Sequence, residues 1–137
     1  MIPIALRYDQ RGTIEDEVSL DFTTDFYPYI EGADFEVGPR PEVTFSAAPT
    51  DADYVSFNAN WDDGGSYTFW DLLLPPSVEG TVRFPELPEG IVPGASPYYL
   101  TLGFFDASYL EGYDAIRTGD DVPPEGDYDV RAAYVQR

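Results

Sequence analysis

The chain has 137 residues and a formal net charge of −19, from 26 acidic and 7 basic residues, with 43% apolar and 16% aromatic content. That length suits one domain with a core of its own, and so much apolar surface excludes a disordered acidic tail. Every basic residue is an arginine, and the absence of lysine, histidine and cysteine excludes disulfides, Cys/His zinc sites, imidazole triads, Schiff-base chemistry and a P-loop lysine.

Along the chain, 13 prolines and 12 glycines leave stretches that are short, β-branched and aromatic, and their hydrophobic period is two. Ile2, Ile4, Leu6 and Tyr8 alternate with small or polar neighbours and predict a half-buried first strand. Val18, Leu20 and Phe22 predict another. After a less regular stretch over 23–41, Val43, Phe45 and Ala47 begin a second series. Val55, Phe57, Ala59 and Trp61 then face one way, which places Trp61 in the core. The turn Asp62-Asp63-Gly64-Gly65 is a hairpin signal, because primed turns need positive φ. Residues 66–74 return as the partner strand. There Trp70 shares parity with Thr68, Leu72 and Leu74, while Tyr67, Phe69 and Leu73 lie opposite, which predicts burial on both faces or a bulge. Pro75-Pro76 ends that strand, Val82 and Phe84 mark another, Leu100, Leu102 and Phe104 a longer one, and Tyr128, Val130, Ala132 and Tyr134 the last. About eight strands with turns between them predict an all-β, antiparallel two-sheet sandwich in a single domain, with residues 1–41 adding an N-terminal β segment to a core over 42–137.

Over 42–137 the order of features resembles a fibronectin type III or related immunoglobulin-like module. "EVTFSAAPTDADYVSFNANWDDGGSYTFW" resembles strands B, C and C′, "GTVRFPELPEG" strand E, "SPYYLTLGFFDA" strand F and "GDYDVRAAYVQR" strand G. Phe45 stands where the family usually has tryptophan, the E to F connection is long, and Tyr98 is the candidate tyrosine corner. Similar modules are common in secreted and surface proteins of bacteria, so the resemblance implies an extracellular or cell-surface accessory module. The first residues lack the charged and apolar regions of a signal peptide, which leaves a cytoplasmic protein or one whose leader has been removed. No apolar run approaches the ~20 residues needed to span a bilayer, so membrane insertion is not expected.

In such a sandwich the B to C, C′ to E and F to G loops share one end, which collects Asp51, Asp53, Asp106, Asp114, Asp120 and Asp121. Converging carboxylates suit Ca²⁺, which takes six to eight oxygen ligands. The plainer reading is a set of solvated acids that keep the protein soluble. Trp70, Tyr67, Tyr109 and Tyr113 are candidates for an aromatic ligand face of the kind that stacks on sugars. Catalysis is not expected, because adjacent pairs such as Asp62-Asp63 point apart and no base is present to activate a hydroxyl. Nucleic acid is not an expected partner either, since Arg7, Arg11, Arg40, Arg83, Arg117, Arg131 and Arg137 are scattered singly. The first strand, next to a free end, offers self-assembly by strand donation, with docking onto its own sheet as the simpler outcome. The function expected is therefore a non-enzymatic surface or secreted module for binding or assembly, with no cofactor and with a protein or glycan partner. A carbohydrate- or calcium-dependent binding module is the alternative, and an acidic nucleic-acid-mimicking inhibitor is the second.

Overall fold

Period-two alternation is carried into eight strands, and the computed structural model describes residues 2–13, 17, 19–62, 67–89, 97 and 99–137. The strands are β1 (Ile2–Gln10), β2 (Asp34–Glu36), β3 (Glu42–Phe45), β4 (Tyr54–Asp62), β5 (Tyr67–Leu74), β6 (Gly80–Arg83), β7 (Tyr99–Ala107) and β8 (Tyr128–Gln136). They form two antiparallel sheets, ordered β1-β8-β7-β4-β5 and β2-β3-β6. The fold is an all-β two-sheet sandwich, as the alternation predicts. Residues 1–41 enter both sheets, β1 pairing with β8 and β2 with β3.

The sheets meet through aromatic rings. Phe57 on β4 lies 6.3 Å from Phe35 on β2 and 4.6 Å from Phe84 just beyond β6, and Phe45 lies 6.0 Å from Phe104. Trp61 and Trp70 both present edges to Phe84. Val43, Val55, Phe57, Ala59, Leu102 and Ala133 are fully buried around these contacts. Burying a side chain such as Phe57 contributes ~1.5–3 kcal/mol, and each tilted or edge-on ring pair about 0.5–1.5 kcal/mol more.

The three-stranded sheet packs on the inner face of β4, β5 and β7, and in the segment before β2 Tyr27 lies under Arg131 of β8 and beside Ala5 of β1. Tyr27, Ile30 and Ala33 of that segment are buried. Asp21 shapes the entry to this segment, accepting from the Thr23 amide at 2.8 Å while its own amide donates to Asp25 at 2.7 Å. Arg7 then reaches from β1 to the Asp25 carboxylate at 3.3 Å.

Several local expectations are corrected. The alternation of β1 is real but its faces are exchanged: Ala5, Arg7 and Asp9 turn inward, while Ile2, Ile4, Leu6 and Tyr8 are exposed, Ile2 by 63%. The inward guanidinium needs the carboxylates beneath it, and a strand of period two cannot then bury its apolar set. Leu20 and Phe22 lie in no strand, and Phe22, 81% exposed, stacks on Phe26. β3 ends before Ala47. β5 is neither bulged nor buried on both faces, since its register with β4 runs unbroken from Val55↔Leu74 to Asp62↔Tyr67 and one face is exposed. The connection from β7 to β8 contains a helix that was not expected, α1 (Tyr113–Thr118), which ends at Gly119 in the left-handed conformation, φ 82°. Val18, the turn residues 63–65 and Tyr98 lie outside the described residues.

Core and outer face should respond differently to truncation. Phe57→Ala is expected to cost ~3–5 kcal/mol in urea unfolding followed by tryptophan fluorescence. Phe69→Ala, on the exposed face of β5, should stay within about 0.5 kcal/mol of the parent.

Candidate functional site

Two surfaces compete for the role of binding site: the acidic end and the outer face of the large sheet. At the acidic end the loops converge as the sandwich requires. The Asp53 amide donates to the Phe105 carbonyl at 2.7 Å, and its carboxylate accepts the Ala107 amide at 2.8 Å. Burial pushes the Asp53 carboxyl above its ordinary pKa, against the opposing pull of the Ala107 and Gly112 amides.

Arg131, on the inner face of β8, donates to Asp106 at 2.6 Å and to Asp51 at 2.7 Å, and lies 4.9 Å above the Tyr27 ring. Burial works against its charge, but the hydrogen bonds it donates to Asp106 and Asp51 outweigh this and hold the guanidinium above its ordinary pKa. Asp51 and Asp106 are thus brought together on an arginine. Asp114 pairs with Arg117 at 3.1 Å and Asp120 accepts the Thr118 hydroxyl at 2.8 Å, both beside an open cleft lined by Tyr109 and Glu111. Asp121 is exposed. Among the described residues no three acids converge in a way that could hold a metal ion.

The outer face is built by register. One row across the sheet reads Ile4, Tyr134, Gly103, Ser56 and Leu73, and the row beside it Ile2, Gln136, Thr101, Asn58 and Asp71. Toward the acidic end follow Leu6, Ala132, Phe105 and Tyr54; toward the other end, Tyr99, Asn60 and Phe69. Phe105 stacks on Tyr54 at 4.6 Å and meets the Tyr134 ring edge-on at 5.1 Å. Gly103 makes this arrangement possible, because a Cβ there would stand 2.7 Å from the Phe105 ring and 2.9 Å from Tyr134.

Polar groups on this face are tied to one another. Ser56 donates to Asp71 at 2.7 Å, Asn58 to Ser56 at 3.3 Å, and the Tyr67 hydroxyl to Asn60. Tyr67 and Phe69 nevertheless remain 61% and 57% exposed. In a chain of which 24% is charged, the outward side chains of the five strands include two charged residues among those described, Asp62 and Asp71.

The four aromatic candidates divide between the faces. Tyr67 is on the outer face, whereas Trp70 points inward, 5.6 Å from Phe84. Tyr109 packs edge-on against Tyr128 at 5.2 Å, and Tyr113 donates to the Leu73 carbonyl at 3.1 Å, so both border the face where it meets the acidic end. Sequence reasoning missed Ile2, Ile4, Leu6, Phe69 and Leu73 as surface residues; the odd-and-even split of β5 was the one signal available. Comparison with known proteins finds no family model, no curated protein and no solved structure that matches the chain.

Three outcomes follow from the acidic end and the inward charges. Because Arg131 stands where a cation would sit between Asp51 and Asp106, millimolar Ca²⁺ should leave the melting temperature within ~1 °C of its metal-free value, where a ligand of the folded state would raise it. Asp9 is held below its ordinary value of 3.8 chiefly by the hydrogen bond from Arg7. Its stabilisation is complete above the unfolded value and is lost as pH falls through 3.8 and below. Asp9→Asn should therefore lower the melting temperature by about 2–4 °C at pH 7 and not at pH 2, as read by circular dichroism. The buried Tyr27 hydroxyl finds no hydrogen-bond partner among the described residues, so Tyr27→Phe should be neutral or stabilising by up to ~1 kcal/mol in the same urea assay.

Proposed function

We propose that this chain is a non-enzymatic binding or assembly module of the immunoglobulin-like or fibronectin type III-like kind, exposed outside the cell, and that it works through the outer face of its five-stranded sheet. The observation that carries this reading is the near-absence of charge from that face in a protein of net charge −19. Interface centres are depleted in charge and rich in Tyr and Phe, and solvated faces of acidic proteins are not. The family part of the reading is supported by strand order: β3 pairs with β6 as strands B and E do, and β8, β7 and β4 are neighbours as G, F and C are. The binding role is supported by Tyr67, Phe69, Leu6 and Ile4, which are exposed where folding does not require them.

A glycan ligand is the second reading, favoured by the exposed rings of Tyr67 and Phe69 beside Asn58 and Asp71. Array binding that is lost in Phe69→Ala and kept in Trp70→Phe would support it.

Hydroxyl-radical footprinting tests the face itself. In the protein's native extract, Leu6, Tyr67 and Phe69 should be oxidised several-fold more slowly than in the dilute purified chain, with Phe22 and Val122 unchanged. Equal rates at all five positions would remove the outer face from the function.

A further inference from the structure

We infer that the occupant of the outer face is a second copy of this chain, docked sheet to sheet about a two-fold axis; this rests on the binding role proposed above for that face. Charge selects the occupant. A basic partner is recognised by acidic groups, which this protein has in excess, yet the face withholds them. A neutral patch serves a partner that carboxylates would repel, because like charges brought into contact are destabilising. The strongly acidic body on hand is the chain itself, at −19.

Size agrees with this. Five strands about 4.8 Å apart and about seven residues long give a footprint of about 24 by 23 Å, which with side-chain relief reaches the ~600–1,000 Å² per partner of a stable interface. Aligned sheets stack about 10 Å apart with side chains interdigitating, as the two inner faces of this sandwich already do.

The two acids also choose the axis. Asp71 lies on β5, at one edge of the sheet, and Asp62 on β4 beside it. An axis running across the strands would lay β5 on its own copy and bring the two Asp71 carboxylates together. An axis parallel to the strands lays β5 of one copy over β1 of the other. Asp71 then faces the row of Ile2 and Gln136, and Ile4 faces Leu73. The central strand β7 then lies over its own copy, so that Gly103 meets Gly103 at the axis and Tyr134 faces Ser56.

Sedimentation equilibrium of the full chain from micromolar to millimolar concentration, in 0.15 and 2 M NaCl, tests the inference. A reversible dimer is expected, tightening with salt as the repulsion between two acidic bodies is screened. Leu73→Asp and Ile4→Asp should each weaken it at least tenfold, while Val122→Asp, more exposed than either but off the face, should leave it unchanged; melting curves verify that each variant folds. In an equimolar mixture of Ile4→Cys and Leu73→Cys chains, a short bis-maleimide should join unlike chains in preference to like ones. A mass of 15.3 kDa at every concentration and both salts, or equal weakening by Val122→Asp, overturns the inference. If the chain stays monomeric while the footprint in native extract is protected, the second copy is excluded and the outer face remains the binding surface for another partner. Preference for like-chain cross-links in a proven dimer overturns the strand-parallel axis.

Discussion

The inward turn of Arg7 and Arg131 is the constraint on which the rest of the structure depends. The three-stranded sheet is narrower than the five-stranded one, and the segment carrying Asp25 and Tyr27 meets the inner faces of β1 and β8 at Ala5, Arg7 and Arg131. That contact is polar: Arg7 holds Asp9 and Asp25, and Arg131 holds Asp51 and Asp106 above the Tyr27 ring. Because successive residues of a strand alternate faces, two arginines directed inward send Ile4, Leu6 and Tyr134 outward. The apolar face thus follows from the polar clasp.

All seven arginines are engaged in this way, each donating to a carboxylate or a backbone carbonyl. The positive charge of the molecule holds segments together, and among the described residues acids without an arginine, such as Glu111, Asp120, Asp121 and Glu125, lie in loops. Mutual repulsion then opposes contact between most surfaces of two such molecules. The neutral face is the region where repulsion is weakest, so charge distribution alone biases which surfaces of two molecules can touch.

The sandwich was legible in the sequence because burial on one face leaves a period of two. Val55, Phe57, Ala59 and Trp61 declare β4, whose inward parity is wholly apolar, and Leu100, Leu102 and Phe104 declare β7, whose inward parity is apolar up to Asp106 near its end. Periodicity does not say which face is inside. For β1 the apolar parity was the exposed one, and what reversed it was a tertiary partner, Asp25, 18 residues away from Arg7. Leu20 and Phe22 mimic a strand through alternation alone, but Asp21 binds its own neighbours and turns the chain there instead. The clustering of Asp51, Asp53 and Asp106 followed from topology, while the arginine between Asp51 and Asp106 could not be read, because Arg131 is 80 residues from Asp51.

The edges of the large sheet show why assembly is better sought on its face than along β1. An edge strand exposes unpaired amides and carbonyls, and proteins blunt such edges with proline and with charges directed inward. β1 carries both devices, Pro3 near its start and Arg7 and Asp9 on its inner side, and it is paired to β8 of its own chain along all nine residues. At the other edge, Leu87 and Pro88 line an open cleft together with Thr68, Phe69 and Trp70 of β5. Strand donation would have to break nine registered pairs together with the Arg7 clasp, whereas docking on the face breaks nothing and removes Ile4, Leu6, Tyr67 and Phe69 from water. At ~25 cal/mol per Å² of apolar surface, covering side chains that are already about half exposed is the cheaper route to association for this chain.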